Sequence, residues 1–339
     1  MLKLGKYYAL LSGIHPTLPL AELESLIEIT SNAKIIYNFD GVSVIEGQLN
    51  TNIVNRSGYI KEIGYLIDLY EINNIDYNDI AKKLNDFNIK EARVKGYRYR
   101  GLSFDLSIPE LEINLSRALD KIGINANPRS NTVVRIIITE GIVLVGLLIS
   151  SQDNSYKNRI KNRVFSRPGQ IDQQLSRVMV NLSRLNNSIF LDPFCGTGSL
   201  ALEACSLNAS HSICMDIDKN MVNGSMMNMK SIKCCKSFLV ARHDASKMPL
   251  KEESIDSIAT DPPYGRAAST KKRGYYNLTK AFLEESLRIL KKNSYIVYAG
   301  PSSEKPYLIA KDLGYKIIGV HDMFVHNGLN RQIVVVRKI

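Results

Sequence analysis

The sequence has few of the residues that build disulfide-rich or metal-binding proteins. It contains five cysteines in 339 residues, and an odd, small number argues against a disulfide framework. Cys234 and Cys235 are adjacent, and the other three stand about ten residues apart, so no pair has the spacing of a metal site. We therefore expect free thiols and no metal centre.

Long apolar runs are also missing. The most apolar stretch, residues 133–150, is interrupted by Arg135, Thr139, Glu140 and Gly141. It therefore predicts two strands around a turn and not a membrane span, which needs about 20 apolar residues. The N-terminal segment MLKLGKYYALLSGIHP has no small-residue cleavage site of the kind that follows a signal peptide. We expect a cytoplasmic protein.

Acidic residues are too few to balance the basic ones. Lysine and arginine number 44 against 33 aspartates and glutamates, a formal net charge of +11. Residues 1–150 hold 16 basic and 17 acidic side chains, so residues 151–339 hold 28 and 16, a net charge of +12. Such an imbalance favours a polyanionic partner such as nucleic acid. Solvated lysine faces would give the same count.

The N-terminal half has the pattern of one or two small α+β units. With 45% hydrophobic and 23% charged residues the chain is typical of a folded protein, and its length predicts two or three domains. Apolar spacing predicts helices at 18–28, 78–87 and 108–122. Strands are predicted at 6–11, 33–37, 41–47, 92–99, 133–138 and 142–148.

The C-terminal half changes to alternating strands and helices after a basic linker. Residues 156–184 contain seven basic side chains and one acid. Helices are then predicted at 171–185, 200–207, 220–230 and 277–290, and strands at 188–191, 212–215, 237–240, 255–260 and 295–299, with a last hairpin over 316–338. This alternation predicts the α/β class, with a doubly wound Rossmann-like sheet that ends in an antiparallel hairpin. Ligands bind such sheets at the carboxyl ends of the strands.

The segment IFLDPFCGTGSLALEA, residues 189–204, has the pattern of a nucleoside site. An apolar strand ends at Asp192, and Gly196 and Gly198 then allow a sharp turn into a helix without a Cβ in the way of a ligand. Asp216 ends the next predicted strand, where a carboxylate can bind both ribose hydroxyls of an adenosine. The pattern fits NAD or S-adenosylmethionine.

Two further segments follow later strands. Asp244, in RHDASKMPL, is expected near an adenine ring, although an Asx-turn is an equally good interpretation. In TDPPYGR, residues 260–266, the Asp261 carboxylate and the Pro262 carbonyl can each accept a hydrogen bond from an amino group, and Tyr264 offers a face for stacking. Two acceptors would draw a planar amine out of conjugation and stabilise the charge that develops on its nitrogen.

These motifs resemble those of class I S-adenosylmethionine-dependent N-methyltransferases. More narrowly, the chain resembles the archaeal tRNA guanine-N2 methyltransferases that modify guanosine 10, which carry an N-terminal ferredoxin-like and THUMP module. The resemblance extends to HPTLPLAELE, RSGYIKEIG, SRPGQIDQQLSRVMVNLSR and HNGLNRQIVVV, and so covers nearly the whole chain. Ser199, where glycine is common, and Ala267, where serine is common, are small departures.

The resemblance implies the domain limits and the roles of the site residues. It implies a ferredoxin-like subdomain at 1–64, a THUMP RNA-binding domain at 65–150, the basic linker at 151–170 and the methyltransferase domain at 171–339. The reaction would convert guanosine 10 of tRNA into N2-methylguanosine and N2,N2-dimethylguanosine with S-adenosylmethionine as cofactor. The residues implied at the cofactor are Asp192, Phe194, Gly196, Gly198, Asp216 and Asp244, and those at the target base are Asp261, Pro262 and Tyr264.

Contacts with tRNA require basic surface outside the pocket, because phosphate contacts set position and affinity. A solvated surface is an equally plausible interpretation of each basic stretch. We expect a monomer, to which a small activating protein could bind. The candidates for tRNA contact are Arg93, Lys95, Arg98, Arg100, Arg163, Arg167, Lys271 and Lys272.

Four alternative functions compete with this one. The motif that begins at Asp261 also suits an N-methyltransferase for another tRNA or ribosomal RNA position, or for DNA adenine. A non-catalytic RNA-binding protein would not need the intact set of site residues. A nicotinamide dehydrogenase would leave Asp261 and Tyr264 without a role. A thiouridine synthase would need a Ser-Gly-Gly pyrophosphatase loop, which the sequence lacks.

Overall fold

The computed structural model describes residues 5–100, 106–159, 163–232, 237–264 and 274–339. The chain forms two compact units, Met1–Asp153 and Asn154–Ile339. Lys271 and Lys272, two of the candidates for tRNA contact, lie outside the described residues.

The first unit is built on one eight-stranded mixed sheet, in the order β2-β3-β1-β4-β8-β7-β5-β6. Its helices are α1 (Leu18–Thr30), α2 (Ile53–Arg56), α3 (Tyr77–Asn85) and α4 (Ile108–Lys121). Its strands are β1 (Gly5–Leu11), β2 (Asn32–Phe39), β3 (Val42–Gln48), β4 (Ile60–Glu71), β5 (Glu91–Arg98), β6 (Asn125–Ala126), β7 (Val133–Thr139) and β8 (Ile142–Ser151).

Two buried carboxylates hold the first unit together. Glu22 of α1 is fully buried and accepts 2.7 Å hydrogen bonds from the backbone N–H groups of Gly58 and Tyr59. Glu62 of β4 accepts from the Arg135 guanidinium at 2.6 Å and from the Tyr8 hydroxyl at 3.2 Å. A buried carboxylate is tolerated only with such partners, so these bonds fix the helix and the strands in register.

The second unit contains a seven-stranded sheet in the order β11-β10-β9-β12-β13-β15-β14. Strands β9 to β13 pair in parallel, whereas β14 and β15 pair in antiparallel fashion. Its helices are α5 (Tyr156–Arg159), α6 (Gln173–Leu182), α7 (Ser199–Ser206), α8 (Lys219–Ser231), α9 (Gly274–Ile289) and α10 (Pro306–Asp312). Its strands are β9 (Ile189–Asp192), β10 (His211–Asp216), β11 (Phe238–Arg242), β12 (Ile255–Thr260), β13 (Leu290–Pro301), β14 (Lys316–His326) and β15 (Leu329–Arg337).

In this order, the direction in which successive strands are added to the sheet reverses between β9 and β12. From β9 the chain winds outward through β10 and β11, and it then returns to β12 on the other side of β9. Helices that leave β9 and β12 diverge at such a point, so a crevice forms at the carboxyl ends of these strands. The predicted α/β class and the terminal antiparallel hairpin are confirmed.

A buried ion pair joins α6 to α7 next to this crevice. The Arg177 Nη1 atom lies 3.0 Å from the Glu203 Oε2 atom, and both side chains are at most 4% exposed. Gln173 donates to the other carboxylate oxygen at 2.9 Å, and the Tyr156 ring centroid lies 4.2 Å from the Arg177 guanidinium. The pair fixes α7, whose first residue follows the glycine turn.

The structure adds detail to three expectations. The predicted boundary at residue 64 falls inside β4 (Ile60–Glu71), so both predicted N-terminal subdomains contribute to one sheet, and their division stays a prediction.

Cys205 is disulfide-bonded, so the expectation of free thiols is wrong for this residue, because sequence spacing cannot show which cysteines meet in space. Cys195 and Cys214 are buried and free. No helix of the described chain has the length and apolarity to span a bilayer.

Candidate active site

The glycine turn lies at the carboxyl end of β9 and leads into α7. Gly196 has φ +50° and Gly198 has φ +83°, a region that glycine enters without steric cost. A Cβ atom on Gly196 would meet nothing within 4 Å, so open space borders the turn there. The N–H of Gly196 donates to Asp216 Oδ2 at 2.9 Å, which ties the turn to the end of β10.

Residues 163–165 of the basic linker pack against α8 and the start of α7, next to this turn. The Asn228 side chain of α8 accepts from the N–H groups of Val164 and Phe165 and donates to the carbonyl of Thr197 at 2.9 Å. Arg163 donates to the Ser199 hydroxyl at 2.9 Å. The linker is therefore part of the wall of the site, which the sequence pattern did not reveal.

Asp192 is the most deeply buried acid of the site, at 1% exposure. Its Oδ1 atom accepts from the Thr260 hydroxyl at 2.7 Å and from the N–H of Phe194 at 3.3 Å. Burial, reinforced by the negative charges of Asp216 and Asp261, raises the pKa of Asp192 to about 8. Burial also raises the pKa of Asp216.

Asp261 and Tyr264 meet at the carboxyl end of β12. The Tyr264 hydroxyl donates to Asp261 Oδ1, and burial raises the pKa of the Asp261 carboxyl. The Tyr264 ring lies edge-on to Tyr275 of α9, with 5.9 Å between ring centroids and 72° between ring planes. Gly300 makes room for this arrangement, because a Cβ atom there would stand 1.9 Å from the Tyr275 hydroxyl oxygen. Pro262, between Asp261 and Tyr264 in the chain, is buried.

The cluster contains one charged residue that the sequence motifs did not indicate, Arg331 of β15. Its Nε atom donates to the Tyr264 hydroxyl at 3.2 Å, and its Nη2 atom lies 3.7 Å from Asp261 Oδ2. Arg331 is 8% exposed. A basic residue next to the buried run Ile333–Val336 is the signal that could have found it, because a strand buries a charge only beside a partner.

The remaining cofactor candidates have local structural contacts. Asp244 Oδ1 accepts from the N–H and the hydroxyl of Ser246, at 3.0 and 2.7 Å, which is the geometry of an Asx-turn. The Phe194 ring packs edge-on against Phe282, with centroids 5.5 Å apart. A role for Asp244 at the adenine and for Phe194 at the cofactor stays a prediction.

The basic candidates on and next to β5 do not share one face of the strand. Successive side chains of β5 alternate between its faces, so Arg93 and Lys95 lie opposite Arg98, whose guanidinium donates to the carbonyl of Leu106. Lys95 is exposed and Arg93 is half-buried. Arg100 contacts Asp40 and the carbonyl of Gly13.

The two candidates in the linker differ from each other. Arg167 is exposed, with its guanidinium 5.6 Å from the centroid of the Phe165 ring. Arg163 is half-buried beside the glycine turn. Which of these side chains contacts RNA stays a prediction.

The site has the chemistry that S-adenosylmethionine needs. Asp192, Asp216 and Asp261 stand at the ends of β9, β10 and β12, close enough for the charges of the other two to raise the pKa of Asp192. Such a cluster suits a ligand that carries a positive sulfonium and ammonium group. Each carboxylate oxygen can accept more than one hydrogen bond, so Asp216 can bind ribose hydroxyls while it holds the turn.

Comparison with known proteins agrees with this geometry. The family model UPF0020, described as an RMKL-like methyltransferase domain, matches residues 161–333. The tRNA (guanine(10)-N2)-dimethyltransferase of Methanocaldococcus jannaschii is 32% identical, over 97% of this chain and 99% of that protein. The enzyme of the same name from Methanothermobacter thermautotrophicus is 30% identical, over 97% of this chain and 98% of its own.

Solved structures share the fold over the whole chain. TrmN from Thermus thermophilus has a TM-score of 0.51 at 18% identity and covers 98% of this chain and 100% of its own. SMU.472, a putative methyltransferase complexed with SAH, has a TM-score of 0.50 at 13% identity and covers 100% of this chain and 99% of its own. These two structures show the fold, and the family model and the two archaeal relatives show that the chain belongs to the tRNA (guanine(10)-N2)-methyltransferase family, with an RMKL-like methyltransferase domain.

Proposed function

We propose that this protein methylates the exocyclic N2 of guanosine 10 in tRNA, giving N2-methylguanosine and then N2,N2-dimethylguanosine. One observation carries the proposal. The amine-binding residues Asp261, Pro262 and Tyr264 lie at the end of β12, beside the glycine turn at the end of the neighbouring strand β9. The names of the two archaeal relatives support guanosine 10 as the target.

The cofactor of this family is S-adenosylmethionine, and three carboxylates of this chain are suited to hold it. When bound, the cofactor supplies a methyl group already activated by its sulfonium sulfur. In this proposal the Asp192 carboxylate faces the positively charged methionine end, and Asp216 accepts hydrogen bonds from the ribose. The space beside Gly196 lets the ligand approach the backbone of the turn.

Asp261 then binds the target amine and accepts its proton. Its carboxylate accepts one N2–H bond, and the Pro262 carbonyl accepts the second, so the nitrogen lone pair is drawn out of conjugation with the purine ring. As the nitrogen gains positive charge, Asp261 stabilises it and takes up the released proton. Most of the rate comes from this positioning, because the donor is already activated.

Tyr264 provides the surface for the flipped base. A stacked guanosine cannot enter a pocket at a sheet edge, so it must leave the RNA helix at a cost of a few kcal/mol. Stacking on an aromatic ring recovers roughly 1–3 kcal/mol. The contact between the Tyr264 and Tyr275 rings holds the ring in place before the base arrives.

The first unit supplies tRNA affinity in this proposal, as ferredoxin-like (1–64) and THUMP (65–150) subdomains of a cytoplasmic monomer. Lys95, exposed on β5, is the clearest phosphate contact. Lys95→Ala should weaken binding of tRNA of any sequence and reduce the salt slope by about one. Lys34→Ala, which removes another exposed lysine of the same unit, is the matched control in a filter-binding titration. Equal effects of the two variants would contradict the role of Lys95.

Methylation of defined transcripts tests the reaction itself. Unmodified tRNA transcripts are incubated with labelled S-adenosylmethionine, and the digested nucleosides are identified by mass spectrometry. We expect N2-methylated guanosine from the G10 transcript and none from a matched transcript with adenosine at position 10.

Asp261→Asn separates binding from chemistry in the same assay. It should abolish transfer while S-adenosylhomocysteine still binds in calorimetry. Methylation of the transcript with adenosine at position 10 would show that the target is another nucleotide. Turnover by Asp261→Asn near that of the unmodified enzyme would remove the proposed role of this carboxylate.

A further inference from the structure

The hairpin of β14 and β15 places a buried cation, the Arg331 guanidinium, beside the amine-binding motif. Arg331 lies near the start of β15 and pairs with Pro301 at the carboxyl end of β13. Because β15 runs antiparallel to β13, its start lies at the sheet edge where the parallel strands end. Arg331 thus reaches the motif at the end of β12 from the far side of β13.

Three side chains form a closed set of contacts at this place. Arg331 Nε donates to the Tyr264 hydroxyl, which donates to Asp261 Oδ1, while Arg331 Nη2 stands 3.7 Å from Asp261 Oδ2. The Arg331 guanidinium lies 5.9 Å from the centroid of the Tyr264 ring. Each of the three is therefore fixed by the other two.

The charge of Arg331 acts against the burial of Asp261. Burial raises the pKa of the Asp261 carboxyl, whereas the Arg331 charge and the Tyr264 hydroxyl lower it. Burial also disfavours the charge on Arg331, but Asp261, Tyr264 and Asp172 outweigh it and raise its pKa. The other groups that face Asp261 are Asp192 and Tyr275. Arg331 is thus the one cation among the described groups that face this carboxylate.

We propose that Arg331 is a positioning residue that keeps the Asp261 carboxylate ionised and oriented toward the target amine. This inference rests on the proposed function. An arginine does not give up its proton in a protein, so Arg331 neither donates nor accepts a proton in the reaction. Its effect is that Asp261 remains an acceptor at neutral pH, although the carboxylate is enclosed by protein.

The pH dependence of Arg331→Gln tests this role. Single-turnover methylation of tRNA is measured from pH 5 to 9 with saturating cofactor. Removal of the charge should move the acidic limb of the profile to higher pH by about 1–2 units, since an opposite charge at this distance lowers a carboxyl pKa by about 1–3 units. Binding of S-adenosylhomocysteine should be unchanged in calorimetry.

Arg337→Gln is the matched control on the same strand. Arg337 donates to the carbonyl and side chain of Asn293 and stands at the end of β15 opposite Arg331. It should leave the acidic limb in place. If Arg331→Gln lowered the rate equally at every pH, Arg331 would have only a structural role. The same would follow if Arg337→Gln shifted the acidic limb of the profile as far as Arg331→Gln does.

Arg331→Lys covers the case in which the glutamine variant does not fold. Lysine keeps the charge but loses the fork that reaches Tyr264 and Asp261 together, so we expect a lower rate with an unshifted acidic limb. A limb that shifts in this variant would overturn the proposal.

Melting temperature against pH gives a readout that needs no methyl transfer. Because Arg331→Gln raises the folded-state pKa of Asp261, its melting temperature should fall further below that of the unmodified protein as the pH rises through the range in which Asp261 ionises. A gap that stays constant with pH would refute the electrostatic role even if the tRNA substrate were assigned wrongly.

Discussion

Replacing Glu203 with glutamine should remove the carboxylate partner of the buried Arg177 and destabilise α7, the helix that follows the glycine turn. Glu203 accepts from Arg177 at one oxygen and from Gln173 at the other. A glutamine has a single acceptor oxygen, so one of these two hydrogen bonds must be lost. The positive charge of Arg177 then lies buried beside a neutral amide in place of a carboxylate, with its guanidinium 4.2 Å from the centroid of the Tyr156 ring.

The expected loss is large for a single substitution. Breaking a buried ion pair by removing one partner costs about 3–5 kcal/mol, and both side chains are at most 4% exposed. For a unit of this size, 1 kcal/mol corresponds to about 2–4 °C in melting temperature, so the transition should fall by roughly 6–20 °C. Replacing both partners, in Arg177→Met with Glu203→Leu, should recover most of this loss, because no uncompensated charge remains.

Differential scanning calorimetry separates the two units of the chain. The transition of the second unit is the one that S-adenosylhomocysteine raises, since a ligand stabilises the domain that binds it. Glu284→Gln serves as control, because it removes a carboxylate from an exposed pair with Lys280 and should cost less than about 1 kcal/mol. If Glu203→Gln lowered the transition no further than this control, the pair would not hold the helices as described.

Three other perturbations follow from contacts described above. Gly300→Ala would bring a Cβ against the Tyr275 hydroxyl and should destabilise the second unit by about 1–3 kcal/mol, measured by urea unfolding; a neutral result would contradict this packing. Because the pKa of Asp192 is raised to about 8, the affinity for the cationic S-adenosylmethionine should increase as the pH rises through this value. Calorimetry should show that dependence weakened in Asp192→Asn, and an identical pH dependence in both proteins would exclude this carboxylate as its source. Glu22→Gln takes the carboxylate acceptor away from one of the buried amides of Gly58 and Tyr59 and should cost the first unit about 1–3 kcal/mol; calorimetry should show a shift in the transition of this unit alone.

Most strands and helices of the second unit could be predicted because apolar periodicity and turn residues agreed there. In the first unit β4 (Ile60–Glu71), the strand between β1 and β8, was not predicted. Asp192 and Asp216 end β9 and β10 as expected, since an acid after an apolar run marks a strand end. The parallel order and the final hairpin followed from the alternation of strands and helices. Helix α10 (Pro306–Asp312) was not predicted, because it is short and its sequence lacks a clear amphipathic repeat.

The candidate site was only partly predictable, because its supporting contacts join distant parts of the chain. Thr260 bonds to Asp192 across 68 positions, and Asn228 holds the linker at Phe165 across 63. Nothing local in the sequence indicates such pairs. Arg331 is the same case: its partners are 67 and 70 residues away, and only its position next to an apolar run sets it apart.

The strand order also decides when the second unit can be completed during protein synthesis. The cofactor turn and the amine-binding motif come before β13 in the chain, but β15 follows β14 and yet lies between β13 and β14 in the sheet. Val334 and Val336 of β15 are fully buried in the core of this unit. We therefore expect a chain truncated before residue 331 to lose part of its core together with the Arg331 partner of Asp261, and neither to fold nor to bind cofactor.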